Sequence, residues 1–286
     1  MKKAVVDMVD GSGAKQKMIR IPKFNLEDVD PALGSGPHPA FITKNGVRDA
    51  IYLGAHQAAV VNGKVRVISQ VKNTQNVTFD EARALCSAMG PGWHLTNAWE
   101  WSAMVMWILM QGKNPFSIAW WEWTDGLKIV DGKLFFPESN TLVAEADWPE
   151  HGVFFDVDNE EQPLLATEVK KYQGPLGSND YMDYAYQRLW ASLGTTEGYD
   201  NLPEATKKLM MQLLIAPVEG YAKKIDAPIW VRNYGERFPL RGGRWTYGAS
   251  AGLAYLILDL RRAHSNYYIG FRPAFVNDHV EISSVG

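Results

Sequence analysis

The chain has one cysteine, Cys86, so it forms no intrachain disulfide and must be held together by its core alone. That usage fits synthesis in a reducing compartment. No apolar run approaches the roughly 18 residues that span a bilayer, so membrane insertion is not expected. The start, Met1-Lys2-Lys3-Ala4-Val5-Val6-Asp7, carries charge but no apolar signal core, so direct secretion is not expected either. Synthesis in the cytoplasm is expected, with delivery inside a particle or by another system left open. Positive charge is not in excess: the formal net charge is -3, which argues against a general nucleic-acid binder. Histidines are few, and His38, His56, His151 and His279 lie at no metal-ligand spacing. The acidic stretch Asp156, Asp158, Glu160 and Glu161 reads as a solvated loop. No Ser/His/Asp constellation, phosphate loop or HExxH occurs. No cofactor, metal site or enzymatic activity is therefore expected.

Aromatic residues, by contrast, are plentiful, with 11 Trp and 12 Tyr. They predict a core built on large rings whose polar tips reach partners at its edges. Residues 1–40 are rich in Gly, Pro and Asp and read as an N-terminal extension, with a short strand at Met18–Ile21. Beyond it, Ile51–Gly54 and Lys64–Ser69 read as strands, the second preceded by an Asn62-Gly63 hairpin turn. Thr78-Phe79-Asp80-Glu81 is a capping box, followed by Ala82, Leu85, Cys86 and Met89 on one helical face. Asn97 and Glu100 open a second helix with Trp101, Met104, Val105 and Ile108 as its buried stripe. Trp120–Trp148 reads as a β meander turning at Asp131-Gly132. Ala185–Leu193 reads as a third helix, and Asn201-Leu202-Pro203-Glu204 opens a fourth that ends before Pro217. Strands follow at Ile229–Arg232, Ala254–Leu258 and Tyr268–Arg272. The simplest organisation is one α+β domain over residues 41–286 with a mid-chain insertion.

The segment Arg241–Phe275 stands apart. Glycines, Trp245, Ile269 and Phe271 punctuate it, and between them lie Tyr, Ser, Asn, Arg, His and Asp, the types that binding loops favour. Treated as a strand, Leu253–Leu260 alternates. Ala254, Leu256, Leu258 and Leu260 are expected to face the core, and Tyr255, Ile257 and Asp259 to share the other face as a contact surface.

Gly92-Trp93-His94-Leu95, Arg241-Gly242-Gly243-Arg244-Trp245 and Ile269-Gly270-Phe271-Arg272-Pro273-Ala274 resemble a C-type lectin fold of the formylglycine-generating-enzyme kind. With Trp123–Lys128 and Val231–Arg237, the chain over about residues 41–275 resembles, more narrowly, the variable proteins of diversity-generating retroelements, often phage or prophage encoded. In that family, error-prone reverse transcription alters adenines, mostly in AAC codons. These reach Asn, Tyr, Ser, Thr, Ile, His, Asp, Leu and Arg but not Lys, Glu, Gln, Met or Trp. From Thr246 to Tyr268 no Lys, Glu, Gln or Met occurs.

The resemblance implies a ligand-binding region over about residues 244–268. Its aromatic patch would be Tyr247, Tyr255, Tyr267 and Tyr268, with Arg244, Asp259, Arg261 and His264 giving polar specificity. Thr246, Ser250, Ile257 and Asn266 are permitted products, and Leu260 falls where a variable position often sits. Arg241, Gly242, Gly243, Trp245, Gly248, Gly252, Arg262 and residues 269–274 are assigned to scaffold. The implied partner is a protein or carbohydrate, for example a host-cell surface receptor, with oligomeric state open. Two other functions come with the fold: a formylglycine-generating-type oxidoreductase, which would need cysteines near the C-terminal core, and a purely structural phage tail component.

Overall fold

The elements follow from local chemistry that the sequence states openly at some places and hides at others. The computed structural model describes residues 5–43, 46–69, 73–112, 121–130, 133–135, 187–188, 204–215, 229–231, 236–243 and 255–277. Helices and sheets are mixed throughout, an α+β arrangement.

Two strands, β1 (Val5–Val9) and β2 (Lys15–Pro22), form an antiparallel hairpin. A short helix α1 (Leu26–Val29), two 3-10 turns and a small hairpin, β3 (Ile42–Thr43) with β4 (Gly46–Val47), lead into β5 (Ala50–Gly54). Then come the hairpin β6 (Ala59–Val61) with β7 (Lys64–Arg66), the helix α2 (Phe79–Ser87), the strand β8 (Trp93–Leu95) and the helix α3 (Ala98–Met110). The Asn62-Gly63 turn adopts left-handed φ values of 51° and 74° at its two residues, the conformation a two-residue hairpin requires. The strands β9 (Trp121–Trp123), β10 (Lys128–Val130), β11 (Lys133–Phe135) and β12 (Gln187–Arg188) precede α4 (Glu204–Gln212). The chain then runs through β13 (Ile229–Val231), β14 (Glu236–Arg241), β15 (Leu256–Leu260), β16 (Ile269–Phe271) and β17 (Pro273–Phe275).

Both predicted caps form. Thr78 Oγ1 accepts the Glu81 amide, and the Glu81 carboxylate accepts the Thr78 amide at 2.8 Å. Asn97 and Glu100 exchange the same pair of bonds at 3.0 Å each. Thr78→Ala is expected to lower stability by about 1 kcal/mol, because a helix amide loses its acceptor. Chemical denaturation of the two proteins checks this.

The strands build a five-stranded sheet in the order β1-β2-β5-β17-β8 and a larger sheet whose main path is β11-β10-β14-β15-β13-β12. In the larger sheet β9 pairs with β14 and, in parallel, with β16. The core between these layers contains Trp99, Trp101, Trp123, Phe79, Phe238 and Phe271, each under 2% exposed. The ring-rich core expected from composition is present.

Three expectations differ from the structure. The N-terminal segment is not peripheral: β2 pairs with β5 over five residues, and Met18 and Ile21 are fully buried in the common core. The strand expected at Met18–Ile21 is present within the longer β2; what the local sequence does not announce is its pairing with β5, which comes from farther along the chain. The helix expected over Ala185–Leu193 is contradicted at Gln187–Arg188, which pair antiparallel with β13. Sheet pairing overrides helical periodicity there, and the remaining residues of that expectation lie outside the described ones. Among the described residues of the meander expected over Trp120–Trp148, β10 and β11 form the hairpin, and their register brackets Asp131-Gly132. β9 instead lies between β14 and β16, and residues 136–148 are outside the described set.

Candidate functional site

The candidate surface is carried by the segment that leaves β15 and enters β16. β15 sits inside the larger sheet, parallel to β13 and antiparallel to β14. A strand with neighbours on both edges and layers on both faces has no open side. Tyr255, Ile257 and Asp259 are accordingly 2%, 2% and 7% exposed. This corrects the expected face: the three residues are interior, like Leu256 and Leu258, and only Leu260 is half-buried. Alternation predicts an exposed face only for a sheet with one solvated side, and the run Leu256-Ile257-Leu258 was the apolar signature of a strand covered on both.

After Leu260 the chain emerges. Arg261 is exposed, His264, Asn266 and Tyr268 are half-buried, and Tyr267 is 52% exposed. This segment is fastened by its backbone. The Arg262 carbonyl accepts the Phe79 amide at 3.1 Å, the Asn266 carbonyl accepts the Asn76 amide at 3.1 Å, and the Arg261 carbonyl accepts the His264 amide at 2.9 Å. Asn266 turns its side-chain oxygen back to the Tyr267 amide at 2.7 Å. Burial pulls the His264 imidazole below its usual pKa, which favours the neutral ring. Arg244, Thr246, Tyr247 and Ser250 lie outside the described residues.

Among the residues assigned to scaffold, Arg241, Arg262 and Arg272 are held by side-chain partners, while Trp245, Gly248 and Gly252 lie outside the described residues. Arg262 lies with its guanidinium 4.7 Å from the Phe238 ring centroid, donates to Glu236 and bonds Asp80 at 2.9 Å. Arg241 donates to the Leu213 and Leu214 carbonyls just beyond α4, at 2.7 and 3.3 Å, satisfying groups a helix end leaves open. Arg272 makes a buried fork with Glu122, at 2.9 and 2.7 Å, and also donates to the Gly54 carbonyl. Gly92 has φ +81°, and a Cβ there would lie 2.4 Å from the Val276 carbonyl oxygen, so the Gly-Trp-His-Leu turn tolerates no side chain.

Two buried histidines attract attention as chemistry. His38, fully buried among Phe24, Phe41 and Trp99, has Nε2 3.0 Å from Ser102 Oγ. Its Nδ1 accepts the Ala40 amide, so the proton resides on Nε2, which donates to Ser102. Ser102 in turn donates to the Gln212 carbonyl. That tautomer cannot take the serine proton, so the pair is a link from the segment before β3 to α3 and α4. Desolvation holds His38 at a pKa of about 3, against the smaller opposing pull of the Gln212 backbone. His38, Ser102 and Gln212 lie far apart in the sequence, so their link leaves no local motif.

His94 has the opposite environment. Its Nδ1 faces the Gly92 carbonyl at 3.0 Å and its Nε2 faces Glu100 Oε1 at 2.8 Å. Both neighbours are acceptors, so only the imidazolium satisfies both. Burial disfavours the charge, but Glu100, the Gly92 carbonyl and Asp125 outweigh it and raise the pKa above its usual value. Asp125 is itself bonded by Arg83 at 2.9 Å.

No cluster of His, Cys, Asp and Glu among the described residues is arranged to hold a metal ion. Likewise no helix among them is long and apolar enough to cross a membrane. The interior and surface parts of the segment are distinguishable by stability. Tyr267→Ala is expected to change unfolding free energy by less than about 0.5 kcal/mol. Ile257→Val, although milder chemically, is expected to destabilise by roughly 0.5–1.5 kcal/mol. Denaturant titration of both variants reads the difference. No protein-family model and no curated protein matches the chain.

Proposed function

We propose that this chain is a ligand-binding protein whose C-terminal region presents changeable side chains on a fixed scaffold. On this reading it is a variable protein of a diversity-generating retroelement, with a C-type lectin fold of the formylglycine-generating-enzyme type, phage or prophage encoded. The observation that carries the reading is the division within 255–277. A fastened backbone and buried Arg272, Phe271 and Ile269 adjoin a segment, Arg261 to Tyr268, in which exposed and half-buried residues alternate and binding-loop types prevail. A rigid presenting segment reduces the ordering cost of binding. Exposed tyrosine and arginine supply affinity anchors, and Asn266 and His264 supply polar contacts. The partner is a protein or carbohydrate on a host-cell surface, reached from a phage particle.

The oxidoreductase alternative draws less support. The single cysteine, Cys86, is fully buried on α2, and burial followed by the nearby Asp125 charge pushes its thiol well above the usual range. A thiol of that kind is a poor nucleophile.

The decisive observation is genomic. A near-copy of the Arg244–Tyr268 coding segment, close to a reverse transcriptase and differing from it at adenines, is the expected finding. Differences without regard to adenine would reject the reading. In a binding screen against host-surface extracts, Tyr267→Ala combined with Arg261→Ala is expected to reduce capture at unchanged thermal midpoint.

A further inference from the structure

Four aromatic rings form a continuous line from the core to the surface. Tyr255, 2% exposed, stacks on Trp121 with centroids 6.1 Å apart and planes 29° from parallel. Trp121, 6% exposed, meets Tyr268 edge-on at 4.9 Å and 87°. Tyr268, half-buried, meets Tyr267 edge-on at 5.0 Å and 72°. Tyr267 ends the line at 52% exposure. The backbone holds this arrangement in register, because Ile269, the residue after Tyr268, pairs with Trp121 in the parallel β9–β16 ladder.

Edge-to-face and offset contacts fix the angle between rings as well as their distance. A ring gripped on one side only is free to adopt several rotamers, whereas one seated against a buried neighbour is not. Tyr267 meets Tyr268 in this line, and Tyr268 rests on Trp121. The geometry points to Trp121 as a positioning residue for the candidate binding surface: it sets the pose of Tyr268 and, through it, the pose of the exposed Tyr267, while Tyr255 sets Trp121 from below. This rests on the reading that residues 261–268 contact the ligand. It adds that Tyr255 acts on specificity without touching the ligand, which reconciles its burial with a place in the variable region. A change at residue 255 then alters the surface indirectly, by reseating the rings above it.

The test reads the pose of Tyr267 without any ligand. 3-Fluorotyrosine is placed at position 267 of the full chain and its fluorine resonance is recorded. Trp121→Phe is expected to shift or broaden that resonance, although residue 121 is not in contact with Tyr267 along the line. In a Tyr268→Leu background the same Trp121→Phe change is expected to leave the resonance where it was. Tyr255→Leu is expected to act in the same direction as Trp121→Phe, and it serves as the probe should Trp121→Phe not fold. An unshifted resonance in folded Trp121→Phe or Tyr255→Leu protein overturns the proposal. So does a shift that survives in the Tyr268→Leu background, because the pose would then be set by another route. A positive result with no adenine-directed template would leave the ring coupling standing and remove the retroelement reading, so the two failures are separable.

Discussion

Arg272→Met is expected to lower the stability of the folded chain by about 3–5 kcal/mol, the usual result of breaking a buried ion pair by removing one partner. Glu122 and Arg272 are 0% and 6% exposed and share two charge-assisted hydrogen bonds of 2.7 and 2.9 Å. Methionine fills much of the volume but leaves the Glu122 carboxylate buried without its cation, and leaves the Gly54 carbonyl without its donor. The same arginine therefore joins β9 of the larger sheet to β5 of the smaller one. For a chain of this size the thermal midpoint should fall by roughly 10 °C. Adding Glu122→Gln removes the stranded charge and should recover a substantial part of the loss. Calorimetry of the single and double variants measures both effects. A loss below about 1 kcal/mol in the single variant would mean that the pair does not fasten the two sheets.

The second large effect concerns pH. The folded His94 pKa is raised above the ordinary 6.5, so the imidazolium form is favoured by folding. A basic group raised in this way contributes stability that is fully present below pH 6.5 and is lost as pH rises through the folded value. The chain should therefore lose stability on the alkaline side of neutrality, as the His94 proton leaves and Glu100 keeps a buried charge without a cation. Glu100→Gln removes the negative charge that holds the proton on His94. It should cost about 3–5 kcal/mol at pH 6 and abolish the alkaline loss, because burial, the largest influence on His94, then disfavours its charge with no carboxylate beside it to offset it. Denaturation at several pH values, with nitrogen-15 detection of the His94 ring, follows both. A wild-type profile level from pH 6 to 9 would refute the assignment. Glu100 also closes the Asn97 cap, so Asn97→Ala serves as the control: it should weaken α3 by about 1 kcal/mol without altering the pH profile.

The parts of this fold that were legible in the sequence are those in which a few adjacent residues settle the outcome. Thr78 with Glu81 and Asn97 with Glu100 satisfy helix amides by themselves, and both helices start there. Asn62-Gly63 admits the left-handed turn on its own chemistry. What failed depended on distant neighbours. Whether Tyr255, Ile257 and Asp259 meet solvent is decided by β13, β14 and the layers above and below, none adjacent in sequence. The same holds for Gln187–Arg188, whose periodicity favours a helix and whose pairing with β13 makes a strand. Within the candidate site, the polarity of residues 261–268 was readable directly. The line of rings was not, because Trp121 enters it from β9, far earlier in the chain. Its only sequence trace is the Trp121-Glu122-Trp123 run, in which Trp123 turns to donate to the Val77 carbonyl and Glu122 turns to Arg272.

The order β1-β2-β5-β17-β8 has a consequence for how the molecule is made. Ala274 pairs with Leu53 on one side and with His94 on the other, so a strand near the end of the chain is the shared neighbour of two from its first third. A polypeptide emerging from the ribosome can zip β1, β2 and β5 early, since those contacts are local. It cannot close the sheet until residues 273–275 have left the exit tunnel. Until then β5 and β8 present open edges, the kind that recruit other chains. Completion waits on a contact of long sequence separation, which slows folding in proportion to its non-locality. The nascent chain therefore carries these open edges until β17 arrives, and a chaperone that shields strand edges would act before that point.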